Sequence, residues 1–189
     1  MPQVTADTQI THTTYSMTEP KVWFSEFIST LIFTEVDSPV VTGASSGFGR
    51  LLTTYLLEQG YRVVATLRRP EVLSKLVAIY PSTRLIAVKL DVTKHSEISE
   101  AFAKAQEAFG RVDVVFNNAG QMINGEIESV DEKDARAMFD INFWGAAQVS
   151  REAVQFFRDV NQPRGGRLLQ VSSGLAIKST ACYGHYSAS

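Results

Sequence analysis

The chain has 189 residues, of which 44% are hydrophobic and 20% are charged, and its formal net charge is −2. This length and composition are typical of one globular domain with an apolar core, and the near-neutral charge argues against a nucleic-acid partner. The single cysteine excludes an internal disulfide, and no Cys/His spacing predicts a metal site. Residues 27–33, the longest mostly apolar run, are too short to cross a bilayer, and the first twenty residues lack the basic start of a secretory signal. We therefore expect a soluble cytoplasmic protein with no metal and no membrane partner.

Residues 1–38 are predicted to form an N-terminal extension. Residues 1–20 are polar and aperiodic, which predicts a disordered arm, and residues 21–33 could form a short amphipathic helix. Only Val40 and Val41 then remain as apolar strand residues, although a strand buried on both faces usually shows about four to eight. Residues 21–24 look like the missing half of that strand. Two explanations stay open: residues 25–40 are an insertion, such as a retained intron, or the extension is an ordinary helical one.

A glycine-rich turn, T-G-A-S-S-G-F-G, occupies residues 42–49 and leads into a helical pattern. A strand that delivers such a turn to a helix N-terminus leaves unpaired N–H groups and a partial positive charge, which suit a pyrophosphate. Glycine is needed where a side chain would block the turn or the phosphate. Such turns also occur without a ligand, so the turn alone decides nothing. The candidate cofactor-binding residues here are Gly43, Ser45, Ser46, Gly47, Phe48 and Gly49.

The rest of the chain alternates between strand and helix patterns. Strands are predicted at residues 61–67, 85–90, 112–116 and 167–172, with helices between them. Gly60 and Gly110 are predicted helix stops, and Ser129 with Glu132 is predicted to be a capping box for a helical region that runs to about Asp159. This alternation predicts an α/β, Rossmann-type, doubly wound parallel sheet of about five strands over residues 39–189. In that fold ligands bind beyond the carboxyl ends of the strands, where the strand order reverses.

The turn after the second strand indicates which dinucleotide is bound. NAD-binding folds place an acidic residue about 20 positions beyond the glycine turn, and this chain has Leu67 there, followed by Arg68 and Arg69. A guanidinium suits the 2′-phosphate of NADP, so we favour NADP over NAD and Arg68 as its ligand. The alternative is that both arginines are solvated loop charges.

Two further strand ends carry candidate cofactor contacts. Asp91 could accept a hydrogen bond from the adenine amino group, with Val92 flanking the ring, or Asp91 could simply precede a helix. After the fourth strand, N-N-A-G at residues 117–120 could tie neighbouring strands together and let the backbone approach the cofactor. The cofactor candidates in that segment are Asn118, Ala119 and Gly120.

The end of the fifth strand carries Ser173 in S-S-G, and Tyr186 follows in Y-S-A-S. With T-G-x-x-x-G-x-G, N-N-A-G and the helical Asn142, these motifs stand in the order and spacing of the short-chain dehydrogenase/reductase family, which residues 40–189 resemble. The resemblance implies hydride transfer between a nicotinamide and a carbonyl or secondary alcohol of a small molecule. Tyr186 would be the general acid or base and would also contact the cofactor, Ser173 would hold the substrate oxygen, and Asn142 would support a proton-returning water chain.

The resemblance also implies a lysine four residues after the tyrosine, which family members use to help a phenol of pKa near 10 act at neutral pH. This chain ends at Ser189, directly before that position. We therefore expect Tyr186 on a frayed terminus, Tyr183 and His185 in loops, an exposed edge at the fifth strand, missing C-terminal strands, weak NADP binding and little turnover.

Three readings of function stay open on the sequence. The leading one is an NADP-dependent oxidoreductase represented by an incomplete chain. The alternatives are an NADP(H)-binding pseudoenzyme or partner-binding fragment without catalysis, and a non-functional product of a wrong gene model. The sequence does not name the substrate, and the resemblance implies a homo-oligomer for the full-length form.

Overall fold

A computed structural model describes residues 38–189. The predictions for residues 1–37, which are the disordered arm, the amphipathic helix and most of the inserted segment, lie outside the described residues. Five strands form one parallel sheet in the order β3-β2-β1-β4-β5. They are β1 (Pro39–Val41), β2 (Val63–Leu67), β3 (Leu85–Lys89), β4 (Val114–Asn117) and β5 (Arg167–Gln170). This order confirms the predicted doubly wound, Rossmann-type sheet.

Helical segments connect the strands, as the alternating pattern predicted. The α-helices are α1 (Gly47–Glu58), α2 (Ser74–Ile79), α3 (His95–Phe109), α4 (Glu132–Phe139), α5 (Ala146–Asp159) and α6 (Gly184–Ala188). Short 3₁₀ turns at Pro70–Leu73 and Gly174–Ala176 precede α2 and follow β5, and a π-helical turn at Asp140–Gly145 joins α4 to α5. Among the described residues, no helix is both long enough and apolar enough to cross a membrane.

The sheet separates two apolar layers, because successive side chains of a strand point to opposite faces. One layer joins α3 and α5 to alternate strand residues such as Val40, Val64 and Val115. The intervening strand residues, such as Val41 and Val63, are equally buried and belong to the other face, where α1 and α2 contact the sheet. Burial on both faces explains why these strands read as continuous apolar runs in the sequence.

The first strand is short but central. Val40 lies opposite Val64 of β2 and Val115 of β4, and Val41 is likewise paired on both sides, whereas Pro39 is paired with β4 alone. Pro39, which cannot donate a backbone hydrogen bond, begins the strand, where a proline is tolerated. Ser38, directly before β1, contacts the residue directly before β4, because its backbone N–H donates to a carboxylate oxygen of Asp113 at 3.1 Å.

Helix boundaries were predicted with mixed success. The predicted stop at Gly110 is confirmed, because this residue has the left-handed φ of 79° that ends α3. The predicted capping box is wrong: α4 begins at Glu132 after Asp131, and the Ser129 hydroxyl donates to the Glu126 carbonyl at 2.9 Å. The serine closes a turn of its own instead of capping the helix. The serine of S-x-x-E therefore has another local use, which the sequence pattern does not distinguish from capping.

The π-helical turn was not predicted. It contains Asn142 and ends at Gly145, where the helix packs closely on Val92. A Cβ on Gly145 would lie 2.7 Å from Val92 Cγ2, so the close approach requires glycine. Single π turns inside α-helices are often found at functional sites.

Asn161 joins three parts of the fold through one buried amide. Its Oδ1 accepts from the backbone N–H of Val112 at 3.2 Å, and its Nδ2 donates to the carbonyls of Val112 and Gly165 at 2.6 Å each. The end of α5 is thereby tied to the segments that lead into β4 and β5.

We expect Asn161→Ala to lower the free energy of unfolding by about 2–4 kcal/mol, because it leaves buried backbone groups unpaired. Urea denaturation followed by circular dichroism measures the change. Asn124→Ala, at an exposed asparagine, is the matched control and should stay within about 0.5 kcal/mol of the unmodified chain. Equal stabilities for the two variants would contradict this role of Asn161.

Candidate functional site

A crevice opens where the strand order reverses, at the carboxyl ends of β1 and β4. Its cavity has a volume of about 310 Å³. Most of the residues predicted to bind a cofactor line this one cavity: Gly43, Ser45, Ser46, Gly47, Phe48, Arg68, Asp91, Val92, Asn118, Ala119 and Gly120. Gly49 is buried behind the turn, and Tyr186 does not line the cavity.

The glycine turn approaches the end of β4 too closely for side chains. Gly43 has a φ of 68°, which disfavours other residues, and a Cβ there would lie 3.0 Å from the Ala119 Cα. A Cβ on Gly49 would lie 2.5 Å from the Gly43 carbonyl oxygen and 2.7 Å from the Asn118 Nδ2. Both glycines are therefore required by this close approach, and at these two positions the turn presents no side chain to the end of β4.

Thr42 joins the glycine turn to the end of β4. Its hydroxyl oxygen accepts from the backbone N–H groups of Asn118 at 2.8 Å and of Ala119 at 2.9 Å. Its carbonyl accepts from the Asn118 side-chain amide at 2.9 Å. The N-N-A-G segment thus ties two neighbouring strands together, as its amides suggested.

The start of α1 faces the cavity without a side-chain cap. Ser46, the residue before the helix, is extended, and its side chain makes no capping hydrogen bond. Ser46 and Gly47 both line the cavity. The backbone N–H groups of a helix start and the helix dipole make this end of the cavity suitable for phosphate oxygens.

The end of β2 presents one arginine to the cavity. Leu67, at the position expected for an acid, is buried at 2% exposure and lines the cavity together with the exposed Arg68. Arg69 is also exposed but does not line the cavity. The two adjacent arginines, which the sequence did not distinguish, therefore differ in position.

Asp91 is held in place at the end of β3 by its neighbours. Its Oδ1 accepts from the backbone N–H and the hydroxyl of Thr93 at 3.1 and 2.8 Å. Its own backbone N–H donates to Glu97 at 2.8 Å. That hydrogen bond, followed by the interaction with the Lys89 ammonium at 3.0 Å, lowers the pKa of the Glu97 carboxyl from its ordinary value. The Asp91 Oδ2 has no partner among the described residues and remains available to a ligand.

The candidate catalytic residues Tyr186, Ser173 and Asn142 lie outside the cavity lining, and hydrogen bonds connect Asn142 and the Tyr186 backbone to it. Asn142 accepts from the backbone N–H of Gln121 at 2.9 Å and donates to the Gln121 carbonyl at 2.8 Å. Gln121 itself lines the cavity. The Asn142 amide also donates to the Ser189 hydroxyl at 2.9 Å, and that hydroxyl donates to the Tyr186 carbonyl at 2.9 Å. Asn142 is thereby linked to both the cavity and the segment that carries Tyr186.

The structure corrects the predicted C-terminal segment. Tyr186 and His185 lie in the short helix α6, whereas a frayed end and a loop were expected. Tyr183 directly precedes this helix, and its carbonyl accepts from the Ser187 N–H at 2.7 Å. Ser173 follows β5, and its hydroxyl accepts from the backbone N–H of Leu175 at 3.2 Å. The end of the described chain is therefore more helical than the sequence predicted.

Besides Leu67, three residues that line the cavity were not predicted to bind a cofactor: Leu90, Gln121 and Ile141. Leu90 and Gln121 could have been found, because Leu90 directly precedes Asp91 and Gln121 directly follows Gly120. Ile141 carried no signal, since it lies in the π-helical turn, far along the chain from the other lining residues. Residues 38–189 contain no group of three His, Cys, Asp or Glu side chains that could hold a metal ion.

Comparison with known proteins decides the family. The family model of short chain dehydrogenases matches residues 39–189. This chain belongs to the short-chain dehydrogenase/reductase family. It is 37% identical over 150 residues to an uncharacterized oxidoreductase of Schizosaccharomyces pombe, a match that covers 79% of this chain and 49% of the relative. It is 32% identical over 151 residues to a 3-ketodihydrosphingosine reductase of Bacteroides thetaiotaomicron, covering 79% and 52% of the two chains.

A solved structure shows the same fold. A short-chain dehydrogenase of Streptomyces avermitilis superposes with a TM-score of 0.73 at 37% identity, over 80% of this chain and 55% of that one. The chain spans about half the length of the curated relatives named here. Its membership of the family is therefore established over the Rossmann-type portion.

Glu97→Gln tests how Asp91 is held. We expect the substitution to lower the free energy of unfolding at neutral pH by about 1 kcal/mol, because a charged acceptor of the Asp91 N–H becomes neutral. The lowered pKa of Glu97 means that this stabilisation is complete above the ordinary value of 4.5 and is lost as the pH falls through the lower folded value.

Denaturant unfolding from neutral to acidic pH provides the measurement for Glu97→Gln. The difference between the variant and the unmodified chain should shrink as the pH falls below about 4.5. Glu100→Gln, on the same helix but exposed and paired only with Lys104, is the control and should show little difference at any pH. A difference for Glu97→Gln that does not depend on pH would contradict the charged hydrogen bond.

Proposed function

We propose that the protein is an NADP-dependent oxidoreductase that acts on a carbonyl or a secondary alcohol. The observation that carries this proposal is the crevice between β1 and β4, which brings a glycine-rich turn, a helix start without a side-chain cap, Arg68 and the open carboxylate oxygen of Asp91 to one cavity. These are donors and acceptors for the separate parts of a phosphorylated dinucleotide.

The residues of the cavity fit NADP by their chemistry. The backbone N–H groups of Ser46 and its neighbours would hold the pyrophosphate, and the Arg68 guanidinium would pair with the 2′-phosphate. The Asp91 Oδ2 would accept from the adenine amino group, with Val92 beside the ring. When bound, this cofactor supplies or accepts a hydride at its nicotinamide. Leu67 stands where an acid would otherwise repel the 2′-phosphate, which supports NADP over NAD.

The remaining proton chemistry is proposed for Tyr186, Ser173 and Asn142. Tyr186 would donate a proton to the substrate oxygen during carbonyl reduction and accept it in reverse, and Ser173 would hold that oxygen by a hydrogen bond. Asn142 would keep the tyrosine segment and the cavity in register through Gln121 and Ser189. The hydrogen bonds of Asn142 support this arrangement for the tyrosine segment, and the role of Ser173 rests on the family motif.

Arg68→Ala should weaken NADPH binding about 10- to 100-fold, because a charge-assisted contact with the 2′-phosphate is lost, and should leave NADH binding unchanged. Leu67→Asp should also weaken NADPH binding and should favour NADH. Fluorescence titration with NADPH and with NADH measures the two affinities for each variant. Arg69→Ala, at the neighbouring arginine outside the cavity, is the matched control. Unchanged NADPH affinity in both Arg68→Ala and Leu67→Asp would count against NADP.

Tyr186→Phe should lower NADPH-dependent carbonyl reduction about 10²- to 10⁴-fold, because it removes the proposed proton donor while its ring still packs. NADPH affinity should stay unchanged. The measurements are NADPH oxidation with a panel of ketones and fluorescence titration of the same samples. Tyr183→Phe, next to the same helix, is the control and should retain turnover. Full turnover by Tyr186→Phe would overturn the role of this residue, and NADPH binding without turnover in the unmodified chain would favour a binding protein.

A further inference from the structure

Cys182 has a backbone conformation that is unusual for its residue type. Its φ is 68°, and it is the single non-glycine residue with a positive φ in the part of the chain that the structure describes. Left-handed backbone is rare for residues other than glycine, asparagine and aspartate, and it persists where surrounding contacts demand it. The conformation therefore calls for a physical cause.

A tight turn requires this conformation. The backbone N–H of Tyr183 donates to the Thr180 carbonyl at 3.2 Å, which makes Ala181 and Cys182 the two central residues of a four-residue turn. A positive φ at the second central residue and not at the first is the pattern of a type II turn, which prefers glycine at that place. The turn leads directly into α6, which carries Tyr186.

The turn directs the Cys182 carbonyl to a neighbouring segment. That carbonyl accepts from the backbone N–H of Gly125 at 2.8 Å. Close packing supports the contact, because a Cβ on Gly184 would lie 3.1 Å from the Ile127 Cδ1. The start of α6 is thereby anchored on the connection between β4 and α4.

The end of α6 is anchored on the same connection. The Tyr186 carbonyl accepts from the Ser189 hydroxyl, which accepts from the Asn142 amide. The Asn142 side chain bonds both the backbone N–H and the carbonyl of Gln121. Gln121 lies in the β4–α4 connection and lines the cavity. Both ends of α6 are therefore attached to one segment, which also forms part of the proposed cofactor site.

We propose that Cys182 is a positioning residue for Tyr186. Its left-handed conformation aims its carbonyl at Gly125 and so sets α6, and with it the phenol of Tyr186, against the β4–α4 connection. This inference rests on the proposed function, because it gives a catalytic consequence to the placement of Tyr186. The thiol itself has no part in it, so the backbone conformation alone should matter.

Substitutions at Cys182 separate conformation from side-chain chemistry. Cys182→Gly removes the thiol and favours the turn, whereas Cys182→Val disfavours positive φ because valine is β-branched. Ala181→Val adds a similar side chain at the adjacent turn position, where φ is not positive, and is the matched control. Carbon-13 NMR of ring-labelled tyrosine reports the environment of Tyr186, whose signal is assigned by its loss in Tyr186→Phe.

We expect Cys182→Gly and Ala181→Val to keep the Tyr186 signal of the unmodified chain. Cys182→Val should shift or broaden the signals of Tyr186 and Tyr183 and leave those of Tyr55 and Tyr80 unchanged. Where carbonyl reduction is measured, Cys182→Val should lower kcat about tenfold with KM for NADPH unchanged, and Cys182→Gly should retain full kcat. The proposal is overturned by an unchanged Tyr186 signal in Cys182→Val, by an equal shift in Ala181→Val, or by a shift in Cys182→Gly.

A second pair of variants covers general misfolding. If Cys182→Val also moves the Tyr55 and Tyr80 signals, Cys182→Asn against Cys182→Ala makes the same comparison, because asparagine tolerates left-handed backbone better than alanine. The asparagine variant should keep the Tyr186 signal and the alanine variant should shift it, and the reverse or no difference overturns the proposal. Absence of NADPH binding or of Tyr186-dependent turnover would contradict the proposed function, while the NMR signals still decide the positioning role.

Discussion

The close approach of the glycine turn to the end of β4 is the constraint on which the rest of the site depends. Thr42 makes it specific, since its hydroxyl and carbonyl oxygens accept from the backbone and side chain of Asn118 and from Ala119. The approach is feasible because Gly43 and Gly49 present no side chain. Two segments that are far apart in the chain therefore lie against each other and together line the cavity.

The connection from β4 to α4 links the cavity to the candidate catalytic residues. Its first residues line the cavity, and its Gln121 peptide pairs with the Asn142 side chain. Farther along the same connection, the backbone N–H of Gly125 donates to the Cys182 carbonyl. One connection thus contacts the cavity, the π-helical turn and the helix of Tyr186.

The π-helical turn gives this arrangement a second link. Gly145 at its end packs against Val92, which lines the far part of the cavity, while Asn142 within the turn bonds to Gln121. Asn117 at the end of β4 adds further hydrogen bonds. Its side-chain amide donates to the Ala146 carbonyl at 2.9 Å and to the Gln170 side chain at 2.8 Å. One buried amide of β4 therefore links to the start of α5 and adds to the backbone pairing of β4 with the end of β5.

The amino-acid sequence by itself determined the alternation of strands and helices, because buried parallel strands require continuous apolar runs and helix ends require residues such as Gly110. It also determined which segments meet at the cavity, since parallel strands place their carboxyl ends on one edge of a sheet. Only the tertiary structure decided the start of α4 after Asp131, the π-helical turn, the separation of Arg68 from Arg69, and the left-handed backbone of Cys182. The π-helical turn and the backbone of Cys182 contact residues distant in the chain, Val92 and Gly125, and periodicity carries no information about such contacts. The start of α4 depends instead on a choice between local hydrogen bonds, since the Ser129 hydroxyl donates to the Glu126 carbonyl and S-x-x-E spacing does not distinguish the two uses of the serine.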